Sequence, residues 1–410
     1  MLNVKTVQET LELIQKEFQR IEETEILPLE KCMGRILFEP IVCTQNIPSF
    51  NRSSVDGYAV CAKDTYGSSD SIPVELTLMD PIKMGISPTF TLKANHASAI
   101  PTGGELPTGA DAVVMVEYTE ELNEGSVFIQ KAAAPGNDVI LKGDDLHENQ
   151  VLFQSGARLR SQDIGLLAAM GITHVKVLKP LRMAILSTGD EIVEISATPT
   201  GSQVRDVNAY VILAEAQRMG IQARRIGIVR DDAELIYQTI QTALEDADIL
   251  VLSGGSSVGL MDQSLDVLNR LGKPGVLVHG IAVKPGKPTL IARVGQKAIL
   301  GLPGHPASAF TIFRVIGKAL IERLGGATFP DTVIQARLSV NIPSNHGREE
   351  YMPIKLRKES GIVIADPLFG KSGLISLLSL ADGYVRIKRE SEGLAKDAMV
   401  DVVLFDTVIR

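Results

Sequence analysis

The sequence predicts a multi-domain α/β and β protein, and three observations predict it. From about Leu181 to Leu324 apolar strands alternate with amphipathic helices; from about Ser53 to Asn137 short alternating strands are punctuated by Gly/Pro turns; after Gly325-Gly326 the text becomes strand-like again. The expected division is a helical linker domain over 1–50 and 138–178, an inserted β-rich domain over 51–137, an α/β domain over 179–327 and a small C-terminal β domain over 328–410. With 410 residues and 45% apolar content, the chain can bury several cores.

Thr6-Val7-Gln8-Glu9 reads as a capping box, opening a helical pattern over Val7 to Glu22 with Leu11, Ile14, Phe18 and Ile21 on one stripe. A second helical pattern, Ser161 to Met170, closes the linker region behind the β-rich insertion. In the α/β part the apolar runs Arg182 to Leu186, Ala223 to Val229, Ala247 to Val251 and Ala298 to Leu300 are separated by helical patterns over Val207 to Met219 and Ala233 to Glu245. A further helix is expected over Ala307 to Leu324. That alternation is the pattern of a mostly parallel sheet. The last domain is expected to be all β, with strands at Val333 to Val340, Tyr351 to Leu356, Ile362 to Ala365, Tyr384 to Lys388 and Met399 to Phe405.

Composition excludes several classes of function. A net charge of −8 and 4% aromatic residues without tryptophan leave neither a basic footprint nor stacking groups for nucleic acid. No apolar run approaches the roughly 18 to 20 residues of a membrane span, and no secretory signal opens the chain. Three cysteines, Cys32, Cys43 and Cys61, lack Cys-x-x-Cys spacing, which argues against a disulfide framework or a zinc site and fits a reducing cytoplasm. The six histidines are scattered and Gly-x-Ser-x-Gly is absent, so no Ser/His/Asp set is supported; a P-loop is absent too.

Chemistry is expected at the strand ends. Leu252-Ser253-Gly254-Gly255-Ser256-Ser257-Val258-Gly259-Leu260-Met261-Asp262 follows one apolar run, Ser187-Thr188-Gly189-Asp190-Glu191 another, and Gly301-Leu302-Pro303-Gly304-His305-Pro306 a third. Glycine loops let backbone N–H groups approach an anion, and a nearby carboxylate can hold a divalent cation. Ligands of open α/β sheets sit outside the carboxyl ends of the strands, where Asp190, Glu191, Asp231, Ser257, Asp262 and Lys284 could meet. Each has an ordinary alternative: Asp231 as a helix N-cap, Asp190 and Glu191 as first-turn acids. Val283-Lys284-Pro285-Gly286-Lys287-Pro288 is a stiff cationic loop suited to an anion, or a solvated turn.

Taken in order, Val55-Asp56-Gly57-Tyr58-Ala59, Thr102-Gly103, Gly109-Ala110-Asp111-Ala112-Val113, Gly143-Asp144-Asp145, Ser187-Thr188-Gly189-Asp190-Glu191, Asp206-Val207-Asn208, Gly254-Gly255-Ser256-Ser257-Val258-Gly259 and Lys284-Pro285-Gly286-Lys287-Pro288 resemble the MoeA family. The resemblance extends to Gly347-Arg348 and Gly370-Lys371-Ser372, covering nearly the whole chain. These are molybdopterin molybdenumtransferases, to which the enzymatic part of gephyrin also belongs.

The resemblance implies a three-layer molybdopterin-binding α/β domain and a C-terminal β-barrel. It implies insertion of molybdate into adenylylated molybdopterin, with release of AMP and a requirement for Mg2+, in a cytoplasmic homodimer whose cleft takes residues from both chains. The molybdopterin adenylyltransferase and recipient molybdoenzymes are expected partners. Asp56, Thr102, Glu191, Asp231, Asp262 and Lys284 are expected to be catalytic. Gly254, Gly255, Ser257, Lys287, Arg348, Ser372 and Asp145 are expected to bind substrate, and Asp190, Glu191, Asp231 and Asp262 to hold the metal. Gly280, His305 and Asp382 depart from the family's usual lysine, Gly-Leu-Pro-Gly-Asn-Pro and Ala-Asn-Gly patterns, which leaves tungstate as an alternative oxyanion. A non-catalytic pterin-binding scaffold is the alternative of another class.

Overall fold

The computed structural model describes residues 4–122, 125–254 and 265–406, and the chain divides into two compact units. One comprises Ile26–Met33 and Leu37–Lys176; the other comprises Met1–Glu25, Gly34–Ile36 and Val177–Arg410.

The first unit is built on a six-stranded sheet. Its strands are β1 (Gly57–Val60), β2 (Val74–Leu78), β3 (His96–Ile100), β4 (Ala112–Met115), β5 (Thr119–Leu122) and β6 (Ser126–Ile129), in the order β4-β1-β3-β2-β6-β5. The two-residue period of a strand sends Tyr58 and Val60 to one core and Ala59 to another, as it does Ala112 and Val114 against Val113. Both faces of the central strands are therefore covered.

In the second unit a six-stranded sheet is made by β7 (Arg182–Thr188), β8 (Gln222–Val229), β9 (Ile249–Gly254), β10 (Pro274–His279), β12 (Leu290–Val294) and β13 (Lys297–Leu302), with the short strand β11 (Val283–Lys284) lying outside it. The order is β8-β7-β9-β13-β12-β10, with β8, β7, β9 and β13 mutually parallel, β12 antiparallel to both its neighbours, and β10 therefore running in the direction of the first four. Met183 and Ile185 face helices Val7–Glu17, Asn208–Arg218 and Lys318–Gly325, whereas Ala184 and Leu186 face helix Ala233–Asp246. This is the expected three-layer sandwich, its parallel strands apolar on both faces because helices cover both.

Two helices differ from expectation. The capping box at Thr6 is present, but the helix ends at Glu17: Phe18 is extended and fully buried, and Ile21 N–H donates to Leu324 O at 2.8 Å. Tertiary pairing takes over where the helical stripe continues. The long helix from Pro306 is interrupted by a π-helical segment, Phe313–Gly317, before Lys318–Gly325.

The remaining strands are β14 (Val333–Leu338), β15 (Glu349–Glu359), β16 (Ile362–Pro367), β17 (Gly383–Ile387) and β18 (Met399–Leu404). They follow the order β15-β16-β14-β18-β17, and β17 pairs back to β15, closing a five-stranded barrel. Alternate residues such as Ala336, Leu338, Ile354, Leu356, Val400 and Val402 fill it. β11 joins β15 in parallel, with Lys284 opposite Glu350, so the cationic loop is stitched to the barrel. A short helix, Ile375–Leu380, was not anticipated; none of its side chains is buried, so its apolar run marks no core.

Candidate active site

The three strand ends singled out by their glycines belong to neighbouring strands. Thr188 of β7 is in register with Gly254 of β9, and Ser253 of β9 with Leu302 of β13. Gly254 has φ +120, and a Cβ there would lie 1.9 Å from Thr188 O, so the close ladder itself demands glycine. Gly255, Ser257 and Asp262 lie outside the described residues.

These ends open on a cavity of about 660 Å³ lined by Ser187, Glu191, Asp206, Asn208, Asp231, Ser253, Gly254, Gly304 and His305. Asp231 is not the N-cap of the following helix. That role falls to Asp232, whose Oδ1 accepts from Leu235 N–H at 2.8 Å. Asp231 Oδ1 is instead buried without a hydrogen-bond partner among the described residues. Burial, reinforced by the nearby Asp190 and Glu191 charges, pushes its carboxyl above the usual range. Asp190 Oδ1 accepts from Asp231 N–H at 3.4 Å, which ties the two strand ends together. Asp190 and Glu191 lie in a turn, not in the first turn of a helix.

Among the described residues no three His, Cys, Asp or Glu side chains form a group that could hold a metal. The donors nevertheless fit Mg2+, which is commonly held by one or two carboxylates with waters and substrate phosphates completing the shell. The orphaned Asp231 Oδ1 in an acidic corner is the observation that favours a cation there.

Two further residues of this cavity, Asp206 and Asn208, carried no assigned role in the sequence. Asp206 is buried; its Oδ2 accepts from Ser187 Oγ at 2.8 Å and Arg225 Nη2 at 3.3 Å, and its Oδ1 from Ala209 N–H at 3.2 Å. Asn208 Nδ2 donates to Ser253 Oγ at 2.9 Å and Gly304 O at 2.8 Å. The carbonyl can only accept, so the amide orientation is fixed. An Asp-x-Asn before a helix was the available signal, but their partners are distant in sequence.

A second cavity, of about 800 Å³, is lined by Lys284, Lys287, His305, Ser308, Arg348, Glu350, Lys371 and Ser372. It gathers the cationic loop with Arg348 and Ser372. Lys284 Nζ lies 2.8 Å from Glu350 Oε1, a buried carboxylate also bonded by Ser344 Oγ at 2.8 Å. Lys287, Arg348 and Lys371 have no carboxylate partner among the described residues, leaving the cavity net positive. The loop is rigid rather than a loose solvated turn: Thr289 Oγ1 donates to Gly286 O at 2.7 Å, and a Cβ on Gly286, φ +117, would lie 2.5 Å from Ile312 Cγ1. Glu350 is a partner that no local pattern announces; only the β11–β15 register brings it to Lys284.

Gly304 and His305 line both cavities. His305 precedes a helix, yet makes no side-chain cap; its Nδ1 lies 2.9 Å from Ser372 Oγ. Gly280, at φ +99, and Asp382 line neither cavity. Asp382 is buried in the barrel, where its carboxylate accepts from Leu356 N–H at 2.7 Å and Lys355 Nζ at 3.1 Å.

In the other unit, Asp56 Oδ1 accepts from Thr102 N–H at 2.7 Å and Thr102 Oγ1 at 3.0 Å, which holds the exposed Asp56 carboxyl below its usual range. Asp145 occupies another turn of that unit, its N–H donating to Ile47 O at 3.0 Å.

A doubly covered, mostly parallel sheet with an acidic cavity at its strand ends and a basic cavity beside it has the architecture of an α/β enzyme. Comparison with known families matches residues 5–171 to the MoeA N-terminal region (domain I and II), 184–323 to a probable molybdopterin binding domain and 335–405 to the MoeA C-terminal region (domain IV). The chain belongs to the MoeA family. It is 31% identical to the molybdopterin molybdenumtransferase of Staphylococcus aureus strain COL, over 92% of this chain and 90% of that one. It is 32% identical to a putative molybdopterin biosynthesis protein of Methanocaldococcus jannaschii, over 98% and 96% of the two chains. The crystal structure of a molybdopterin biosynthesis MoeA protein from Pyrococcus horikosii superposes with a TM-score of 0.84 at 35% identity, covering 99% of this chain and 100% of that one.

Proposed function

We propose that the chain is a Mg2+-dependent molybdenum insertase, taking adenylylated molybdopterin and molybdate and releasing AMP with the finished cofactor. The observation that carries this reading is the adjoining acidic and basic cavities, which meet at the Gly304-His305 turn. A phosphorylated pterin and an oxyanion are both negative, and bringing them together requires fixed positive charge and a cation.

In this reading Asp190, Glu191 and Asp231, with Asp262 outside the described residues, would hold Mg2+, which would supply positive charge to the phosphate oxygens of the substrate. Gly254, Gly255 and Ser257 cradle the pterin phosphate. Lys287, Arg348 and Ser372 receive the oxyanion, while Lys284, held by Glu350, adds a directed N–H at the cavity wall. Asp56, Thr102 and Asp145 are carried into the reaction by the resemblance alone, Asp56 and Thr102 as the contribution of a second copy in a homodimer. In the same reading the reaction runs in the cytoplasm, between the molybdopterin adenylyltransferase and recipient molybdoenzymes, which the family resemblance supports. Among the described residues no helix is long and apolar enough to cross a membrane.

The test is AMP release from adenylylated molybdopterin by the purified protein, with Mg2+ and either molybdate or tungstate. Release with molybdate, lost on chelation, is the expected result; release only with tungstate changes the oxyanion, and none with either leaves a pterin-binding scaffold.

A further inference from the structure

His305 stands where the two cavities adjoin, and its hydrogen bond has a direction that matters. A serine hydroxyl has one proton, so across the 2.9 Å contact either Ser372 donates to Nδ1 or Nδ1–H donates to Ser372 Oγ. In the first case the proton is consumed and only lone pairs remain for a ligand. In the second the Ser372 proton is free to point into the cavity lined by Lys287, Arg348 and Lys371. An oxyanion in that cavity selects the second arrangement, because an anion needs donors.

We infer that His305 is a positioning residue for the oxyanion: its Nδ1–H donates to Ser372 Oγ and commits the Ser372 proton to the bound anion. This deepens the proposed function and rests on its placing of the oxyanion in the basic cavity. Two hydrogen bonds hold the geometry, from Ala307 N–H to Ser372 O at 3.1 Å and from the Asn208 side-chain Nδ2 to Gly304 O at 2.8 Å. The turn is thus fastened on one side to Ser372 and on the other to the floor of the acidic cavity. His305 itself is exposed, so its replacement leaves the core intact.

The experiment measures molybdate binding by equilibrium dialysis, with and without adenylylated molybdopterin, alongside the KM values for both substrates. His305→Phe is expected to weaken molybdate binding about 10-fold or more, the size of one hydrogen bond to a charged group. The pterin KM should stay unchanged. Ser372→Ala should cost at least as much, and the double variant no more than Ser372→Ala alone, because His305 acts only through the Ser372 hydroxyl. His305→Asn, whose amide can still donate, should restore binding to within about twofold of the unmodified protein. Additive losses in the double variant, wild-type molybdate binding by His305→Phe, or a loss confined to the pterin KM overturns the inference. The function reading fails separately: if the unmodified protein binds molybdate but releases no AMP, that reading falls while the dialysis series still judges His305. If the unmodified protein binds no molybdate under any of these conditions, both fall.

Discussion

Lys284 Nζ and Glu350 Oε1 lie 2.8 Å apart because strands β11 and β15 run in parallel register, with Lys284 opposite Glu350. Glu350 is buried and Lys284 about half exposed, so the pair is unequal: the lysine can reach water, the carboxylate cannot. Lys284 therefore serves the fold as well as the cavity.

Removing the lysine should have two separable effects. Lys284→Ala is expected to lower stability by roughly 1–3 kcal/mol, the cost of a buried acceptor stripped of a partner. It should also weaken oxyanion binding. Lys284→Ala combined with Glu350→Gln should recover most of the thermal stability and none of the binding. Thermal melts and molybdate dialysis on the same samples check this, and a parallel recovery of both would show that the binding loss was only structural.

Asp231 should respond to pH and metal together. Its folded carboxyl pKa is raised by burial and by Asp190 and Glu191, so its ionisation opposes folding. The associated stability is full below the unfolded-state pKa and is lost as pH rises through the raised folded value. Asp231→Asn is accordingly expected to raise the melting temperature of the metal-free protein at neutral pH, while weakening Mg2+ dependence of AMP release by about 10-fold or more. An unchanged Mg2+ requirement in a more stable variant would remove Asp231 from the metal site.

The Asp56–Thr102 pair predicts the opposite sign. Two hydrogen bonds from Thr102 hold the Asp56 pKa down, so the stability they lend is present above the unfolded-state value and lost as pH falls through the lowered folded one. Thr102→Val removes one of the two donors. NMR titration should find the Asp56 pKa moved up towards its ordinary value, with the effect on the fold confined to acid. A pKa left where it was would mean that the backbone N–H alone sets it.

Gly254→Ala should be among the most damaging single changes. The added Cβ meets a backbone carbonyl, Thr188 O, at 1.9 Å, and neither parallel strand can yield without breaking the ladder. The expected loss is about 3 kcal/mol or more, seen as a large drop in chemical-denaturation midpoint. A variant of wild-type stability that lost only activity would instead assign Gly254 solely to the ligand.

The strand-end chemistry was legible because parallel α/β architecture writes itself locally: apolar runs, glycine turns and amphipathic helices follow one another in the text. Asp190, Glu191, Asp231 and Gly254 were found that way. Lys287 was legible as part of a stiff cationic loop, whereas Arg348 and Ser372 were legible only as parts of a family's ordered motifs, lying in separate segments. Asp232 and Asp231 show the limit of local reading, since either acid could cap the helix and only backbone geometry gave the cap to Asp232. The end of the first helix at Glu17 shows the same limit, because the stripe through Ile21 satisfies helical spacing while Ile21 N–H is claimed by Leu324 O.

By itself the sequence determined the class of fold, the family and the set of strand ends where chemistry is placed, since periodicity and glycine placement are local properties of the chain. Tertiary structure alone decided which charges meet. The pairing of Lys284 with Glu350, of Asp206 with Arg225 and of His305 with Ser372 depends on register and packing between segments 19 to 67 residues apart. Electrostatics falls off through space and not along the chain, so the polarity of the two cavities was fixed only when the sheet and barrel closed around them.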